Sequence, residues 1–171
     1  MPRRMQAVAL AIASVSSPAW AAEGTTWRCD GFLVDVEEAV RIPDGLPQAM
    51  CQYYEAQEKR DWKKTYSLRP KDFRQVVGFD FYEKEMSEQT PQIALSRLNI
   101  LSVKPSRPSE VAVRVDFYRG PGGASKPFDP STGFAMTGET TEWIAEPEGW
   151  RCAGCGEVLL HAINSRMVFP D

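Results

Sequence analysis

Apolar positions recur at helical spacing in the first half of the chain. Leu46, Met50, Tyr53 and Gln57 share one side with Ala49 and Ala56, while Gln52, Glu55, Glu58 and Lys59 occupy the other. That pattern predicts a helix with one packed and one wet face. Asp61 is placed to cap a short helix carrying Trp62 and Tyr66 four residues apart. Pro70 can open another, with Phe73, Val76 and Val77 as its apolar face and Gly78 at its end. Asp80 and Glu83 then have capping-box spacing ahead of Phe81, Tyr82 and Met86.

After Thr90-Pro91 the period becomes two. Ile93 and Leu95 alternate with polar or small neighbours, the phase slips at Ser96-Arg97, and Leu98 and Ile100 resume. Such a slip is the mark of a bulge, which bends a sheet. Pro105 and Pro108 are expected to end this strand. From Glu110 to Tyr118, Val111, Val113, Val115 and Phe117 point one way, and Ala112, Arg114, Asp116 and Tyr118 the other. A glycine- and proline-rich loop is expected over 120–138. A hairpin follows, with Trp143 and Trp150 in its arms around Pro147-Glu148-Gly149, and Glu157 to His161 continue its second strand. Upstream, Phe32, Val34 and Val36 alternate with Leu33, Asp35 and Glu37, a short strand before a turn at Pro43-Asp44-Gly45. Helices followed by strands predict an α+β domain, with short amino-terminal helices packed on a bent antiparallel sheet.

The amino terminus changes the picture of where the chain works. Met1-Pro2-Arg3-Arg4 is positive, Met5 to Ser17 is apolar, and Ala19-Trp20-Ala21 fits a small-x-small cleavage site. The expected organisation is a leader over 1–21, a lead-in over 22–45, one α+β domain over 46–161 and a tail over 162–171. Export to the periplasm is the expected localisation. The apolar run, about 13 residues, is short for a ~30 Å hydrocarbon core, and no membrane span is expected in the mature chain. Removing the leader takes Arg3 and Arg4 from the 20 basic residues and nothing from the 23 acidic ones, leaving a net charge of −5. A mildly acidic chain with scattered charge has no footprint for nucleic acid.

Cys29, Cys51, Cys152 and Cys155 make an even count, which in an oxidising compartment favours two disulfides. Three pairings exist. Cys29–Cys51 with Cys152–Cys155 is the preferred one, and two long-range staples from the amino-terminal segment to the last hairpin are its rival. Cys152-x-x-Cys155 could serve redox chemistry if a helix end or a cation stabilised its thiolate. It lies between strand segments, however, and is read mainly as a staple. Gly156 stands where a c-type haem site needs histidine. A zinc site would have to combine these four cysteines with the lone His161, in a compartment that oxidises thiols. No metal and no cofactor are expected. Gly122-Gly123-Ala124-Ser125-Lys126 lacks the spacing of a phosphate loop.

Two stretches carry a family likeness: Tyr54 to Pro70, containing Asp61-Trp62, and Trp143 to Arg151, ending Gly149-Trp150-Arg151. They resemble the nuclear transport factor two-like superfamily, also called the cystatin-like cone, over about residues 46–160. Neither the Cys-x-x-Cys nor the long glycine-rich loop belongs to that family's usual pattern. The resemblance implies a curved sheet wrapped by helices around a cone-shaped pocket, in a fold that hosts isomerases, hydratases, ligand carriers and protein-binding modules. Tyr53, Trp62, Tyr66, Asp116 and Tyr118 are the candidate pocket residues, and no motif assigns any of them a catalytic role. The leading expectation is a non-enzymatic exported binding or accessory module. It would take an unknown protein or a small apolar ligand, and its sheet face offers a surface for a homodimer. A small isomerase- or hydratase-like enzyme with a pocket carboxylate is the alternative, and a thiol-redox protein using Cys152–Cys155 the second.

Overall fold

The computed structural model describes residues 20–21, 26–89, 94–120 and 135–155. Expectations for most of the leader, for the glycine-rich stretch 121–134, for His161 and for the tail lie outside them.

In chain order the elements are β1 (Trp20–Ala21), β2 (Thr26–Arg28), β3 (Leu33–Val36), β4 (Ile42–Pro43), α1 (Leu46–Glu58), α2 (Trp62–Ser67), α3 (Lys71–Val76), α4 (Phe79–Gln89), β5 (Leu95–Arg107), β6 (Glu110–Arg119), β7 (Ala135–Glu146) and β8 (Gly149–Gly154). The expected α+β class with a cone-like curved sheet is the one observed. Strands β2-β3-β5-β6-β7-β8 form one sheet, and β1 pairs separately with β4. Four pairings in the six-stranded sheet are antiparallel. The fifth, β3 with β5, is parallel, and the helices supply the long crossover that a parallel pair requires.

Several boundaries differ from the periodicity. β5 runs through Pro105, with register shifts at Leu95/Arg97, Ile100/Ser102 and Pro105/Arg107. The first is the slip visible at Ser96-Arg97; the last lets the strand absorb its proline, as bulges do. β7 begins at Ala135, so the last four residues of the expected loop are strand. α4 starts at Phe79, which puts Asp80 inside its first turn rather than at a cap. Val76 is 69% exposed, and α3 buries none of its own residues. The Asp61 cap forms as expected, its carboxylate accepting from the Lys64 N–H at 2.9 Å. Gly149, at φ 114°, closes the β7–β8 turn in a conformation that glycine adopts without strain.

The apolar residues collect in two clusters. The larger lies between α1 and the sheet and contains Met50, Tyr53, Tyr54, Val113, Phe117 and Trp143. Tyr53 and Tyr54 meet Trp143 with ring centroids 6.0 and 6.5 Å apart, and Tyr54 meets Phe117 at 5.2 Å. The smaller joins Trp62, Val77, Tyr82 and Met86, with Tyr66 and Phe73 packed against them.

Candidate functional site: a buried arginine on the Cys-x-x-Cys

Leu68-Arg69-Pro70 links α2 to α3, and the break between those helices turns Arg69 inward, where it is 1% exposed. Its guanidinium lies over the rings of Phe73, Tyr53 and Tyr82 at 5.1, 5.2 and 5.6 Å. Tyr53 belongs to the larger cluster and Tyr82 to the smaller, so Arg69 sits at their junction. Cations favour such ring faces, all the more once desolvated.

The same group holds the cysteine turn. Nη1 donates to the carbonyls of Cys152 and Ala153 at 3.2 and 3.4 Å, and Nη2 to that of Cys155 at 3.2 Å. Nη1 also lies 3.7 Å from Cys152 Sγ. The Cys152 N–H returns a bond to the Leu68 carbonyl at 3.1 Å. Among the described residues no carboxylate comes within ion-pair distance of Arg69. Carbonyl dipoles take up its two terminal nitrogens, and ring faces flank the group.

The structure pairs Cys29 with Cys51 and Cys152 with Cys155, at Cα separations of 5.4 and 5.9 Å. Around Arg69 the polar accounting is incomplete: Arg69 Nε and the Tyr53, Tyr54 and Tyr82 hydroxyls are buried with no hydrogen-bond partner among the described residues. Tyr82 stands close enough to Tyr53 to bear on the Tyr53 ionisation, yet no hydrogen bond of regular geometry joins them. Burial pushes the Tyr53 and Tyr54 phenols well above their ordinary range. The Arg69 pKa also moves upward; burial opposes its charge, and the Tyr53 and Tyr82 oxygens favour it.

The five candidate pocket residues do not converge. Tyr53 fills the interior beneath the sheet, and Trp62 lies in the smaller cluster. Tyr66 is partly buried, donating to the carbonyls of Arg74 and Val77 at 3.1 and 2.7 Å. Asp116 and Tyr118 lie on the opposite face of β6 from its buried valines, so no interior pocket gathers them with Tyr53. There, burial and then Asp116 push the Tyr118 phenol upward.

Sequence reading missed Arg69 and Glu85. Glu85, 1% exposed, follows Tyr82 by three residues and precedes Met86, so its helical phase was a legible signal. For Arg69 the signal was weaker, a basic residue between Leu68 and Pro70 where a helix must break. Among the described residues one group could bring three metal ligands together, Cys29, Cys51 and Glu55, and its two thiols are joined in the disulfide.

A separate groove runs along the surface between the helices and the β7–β8 hairpin. One depression of about 460 Å³ is lined by Gln52, Lys64, Lys71, Arg74, Glu146 and Arg151, among others. A second of about 280 Å³ shares Gln52, Glu146, Glu148 and Arg151 with it. Glu146 is occupied, accepting from the Lys71 N–H at 3.0 Å and lying 3.5 Å from Arg151 Nε. Among the described residues the Lys64, Lys71 and Arg74 charges have no carboxylate at ion-pair distance.

No protein-family model matches the chain, and no curated protein does. Among solved structures, a SEC-C motif containing protein from Rhodopseudomonas palustris matches at TM-score 0.43 and 14% identity, over 64% of this chain and 75% of that one. A second SEC-C motif containing protein, from Psychrobacter arcticus, matches at TM-score 0.43 and 11% identity, over 64% of this chain and 59% of that one. A dehydratase candidate of the NTF2-like family from Streptomyces avermitilis matches at TM-score 0.38 and 17% identity, over 64% of this chain and 89% of that one. The likeness to the NTF2-like family is therefore a loose one.

Proposed function

We propose that this chain is an exported, non-enzymatic binding module that holds an acidic segment of a partner protein in the groove between its helices and the β7–β8 hairpin. The observation that carries this reading is a set of cations, Lys64, Lys71 and Arg74, that among the described residues have no carboxylate at ion-pair distance and that outnumber Glu146 and Glu148 along an open groove. Exposed cations of this kind draw an acidic partner and set its orientation more than they add affinity. The interior offers less. Tyr53, Tyr54, Phe117 and Trp143 fill the space between α1 and the sheet, where an apolar ligand or a small isomerase substrate would have to go. Export is supported by the positive, apolar and small-x-small order of residues 1–21 and by cysteines in disulfide positions. Among the described residues no helix is long and apolar enough to cross a membrane.

The test uses the full chain expressed in a bacterial host. Export requires a periplasmic product beginning at Ala22; a cytoplasmic product retaining Met1 overturns it. Titration of the purified protein with a fluorescent ten-residue polyglutamate peptide should show binding that weakens with salt. The charge reversal Lys64→Glu with Lys71→Glu should abolish it. An unbound peptide, or one held equally by the reversed protein, overturns the groove.

A further inference from the structure

We propose that Cys152–Cys155 is a redox-active pair, with Arg69 as the positioning residue that receives the Cys152 thiolate when the bond is reduced. The pair and the arginine are 83 residues apart in sequence, and the fold brings Nη1 to 3.7 Å from Cys152 Sγ. In the oxidised protein the sulfur is neutral, and among the described residues the buried guanidinium faces carbonyls and rings without an anion. Reduction creates the missing counter-charge. A cation beside a cysteine lowers its thiol pKa and so favours the reduced state. Burial alone disfavours a thiolate, but it also strengthens the attraction of a neighbouring cation, and here the guanidinium is in direct contact with the sulfur. This goes beyond the binding role of the groove and does not depend on it.

The two cysteines differ in their surroundings: Cys152 is fully buried against Arg69, and Cys155, also buried, keeps 6% of its residue surface exposed. A dithiol donor therefore attacks Cys155 Sγ through one thiolate. The S–S bond breaks, its electron pair leaves on Cys152 Sγ, and a mixed disulfide joins the donor to Cys155. The donor's second thiolate then attacks its own sulfur in that bond and releases Cys155, which takes a proton to become a thiol. The donor ends as a disulfide, having given two electrons and two protons; Cys155 keeps one proton and the other goes to water. A low-pKa leaving thiol speeds the first step, which is what Arg69 supplies at Cys152.

The test is built in, because Cys29–Cys51 is a second disulfide that has the Glu55 carboxylate beside it. The mature protein is equilibrated with mixtures of reduced and oxidised dithiothreitol, acid-quenched and alkylated, and each pair is counted by peptide mass. Cys152–Cys155 should be half reduced at a reductant ratio about a hundredfold below that needed for Cys29–Cys51, with the fold intact by circular dichroism. In the reduced protein, Cys152 alkylation against pH should titrate below the ordinary thiol value of about 8.5. Arg69→Lys should retain most of the difference, and Arg69→Gln should shrink it about tenfold or more. If Arg69→Gln does not fold, the wild-type titration decides alone. Pairs that reduce together, reduction only on unfolding, or an ordinary Cys152 titration each overturn the proposal.

Discussion

The two disulfides of this chain have charged neighbours of opposite sign. Beside Cys29–Cys51, the Glu55 carboxylate lies within 4.8 Å of both sulfurs while accepting the Asp30 N–H at 2.7 Å. Beside Cys152–Cys155 stands the Arg69 guanidinium. An anion disfavours thiolates and a cation favours them, so one bond is held closed by its surroundings and the other is eased towards opening. The bonds also differ in reach. Cys29–Cys51 spans a sequence separation of 22 and ties the lead-in to α1, whereas Cys152–Cys155 spans 3 and closes only the end of β8. The lesson is that a staple and a reactive pair are told apart by what packs on the sulfurs, not by their spacing.

The sharpest way to break this contrast is to remove Arg69. Arg69→Met should keep much of the packed stem but leave the carbonyls of Cys152, Ala153 and Cys155 without their donor. At 1–3 kcal/mol for each buried group left unsatisfied, offset by losing a buried cation, the loss should be about 4 kcal/mol in urea unfolding. A loss under about 1 kcal/mol would mean that these bonds are surrendered to water at no cost. The next effect separates the bonds themselves. Loop entropy predicts that Cys29→Ser with Cys51→Ser lowers stability by about 3 kcal/mol, and Cys152→Ser with Cys155→Ser by about 2 kcal/mol. Thermal unfolding of the two double variants checks the order, and a reversed order would show that the longer loop is held by packing alone.

The smallest effect concerns Tyr53, whose ring supports Arg69 while its hydroxyl has no partner. Tyr53→Phe keeps the ring and should change stability at neutral pH by less than about 1 kcal/mol. The pH dependence is the sharper reading. Burial raises the Tyr53 pKa in the folded chain above its unfolded value of about 10. Its contribution is therefore complete below that value and is lost as pH rises beyond it. Urea midpoints across that range should fall less steeply for Tyr53→Phe than for the wild type. Parallel curves would remove the phenol from the account.

Much of the architecture was legible because it follows local periodicity. The apolar side of 46–57, the Asp61 cap, the slip at Ser96-Arg97 and the valine alternation on β6 all emerged as written, since each is set by neighbours three, four or two residues away. Where a local rule competed with tertiary pairing it lost. Pro105 did not end β5, because a bulge accommodates it, and β3 joined β5 in parallel, which no local pattern announces. Even Glu55 beside Cys51 is a local matter, four residues on along α1.

The candidate site was less legible for a physical reason. Alternation correctly put Asp116 and Tyr118 together on one face of β6, but it does not say which face the helices cover. Their packing covers the valine face, leaving no shared interior with Tyr53. Arg69 makes the same point more strongly. By itself the sequence determined the helices, the strands from β5 onward, the α+β class and the four cysteines. Only the tertiary structure decided that a lone arginine between two helices would be buried between two clusters and set against one sulfur pair. A contact across 83 residues arises from the closing of the sheet and helices around it, and no spacing along the chain encodes that distance.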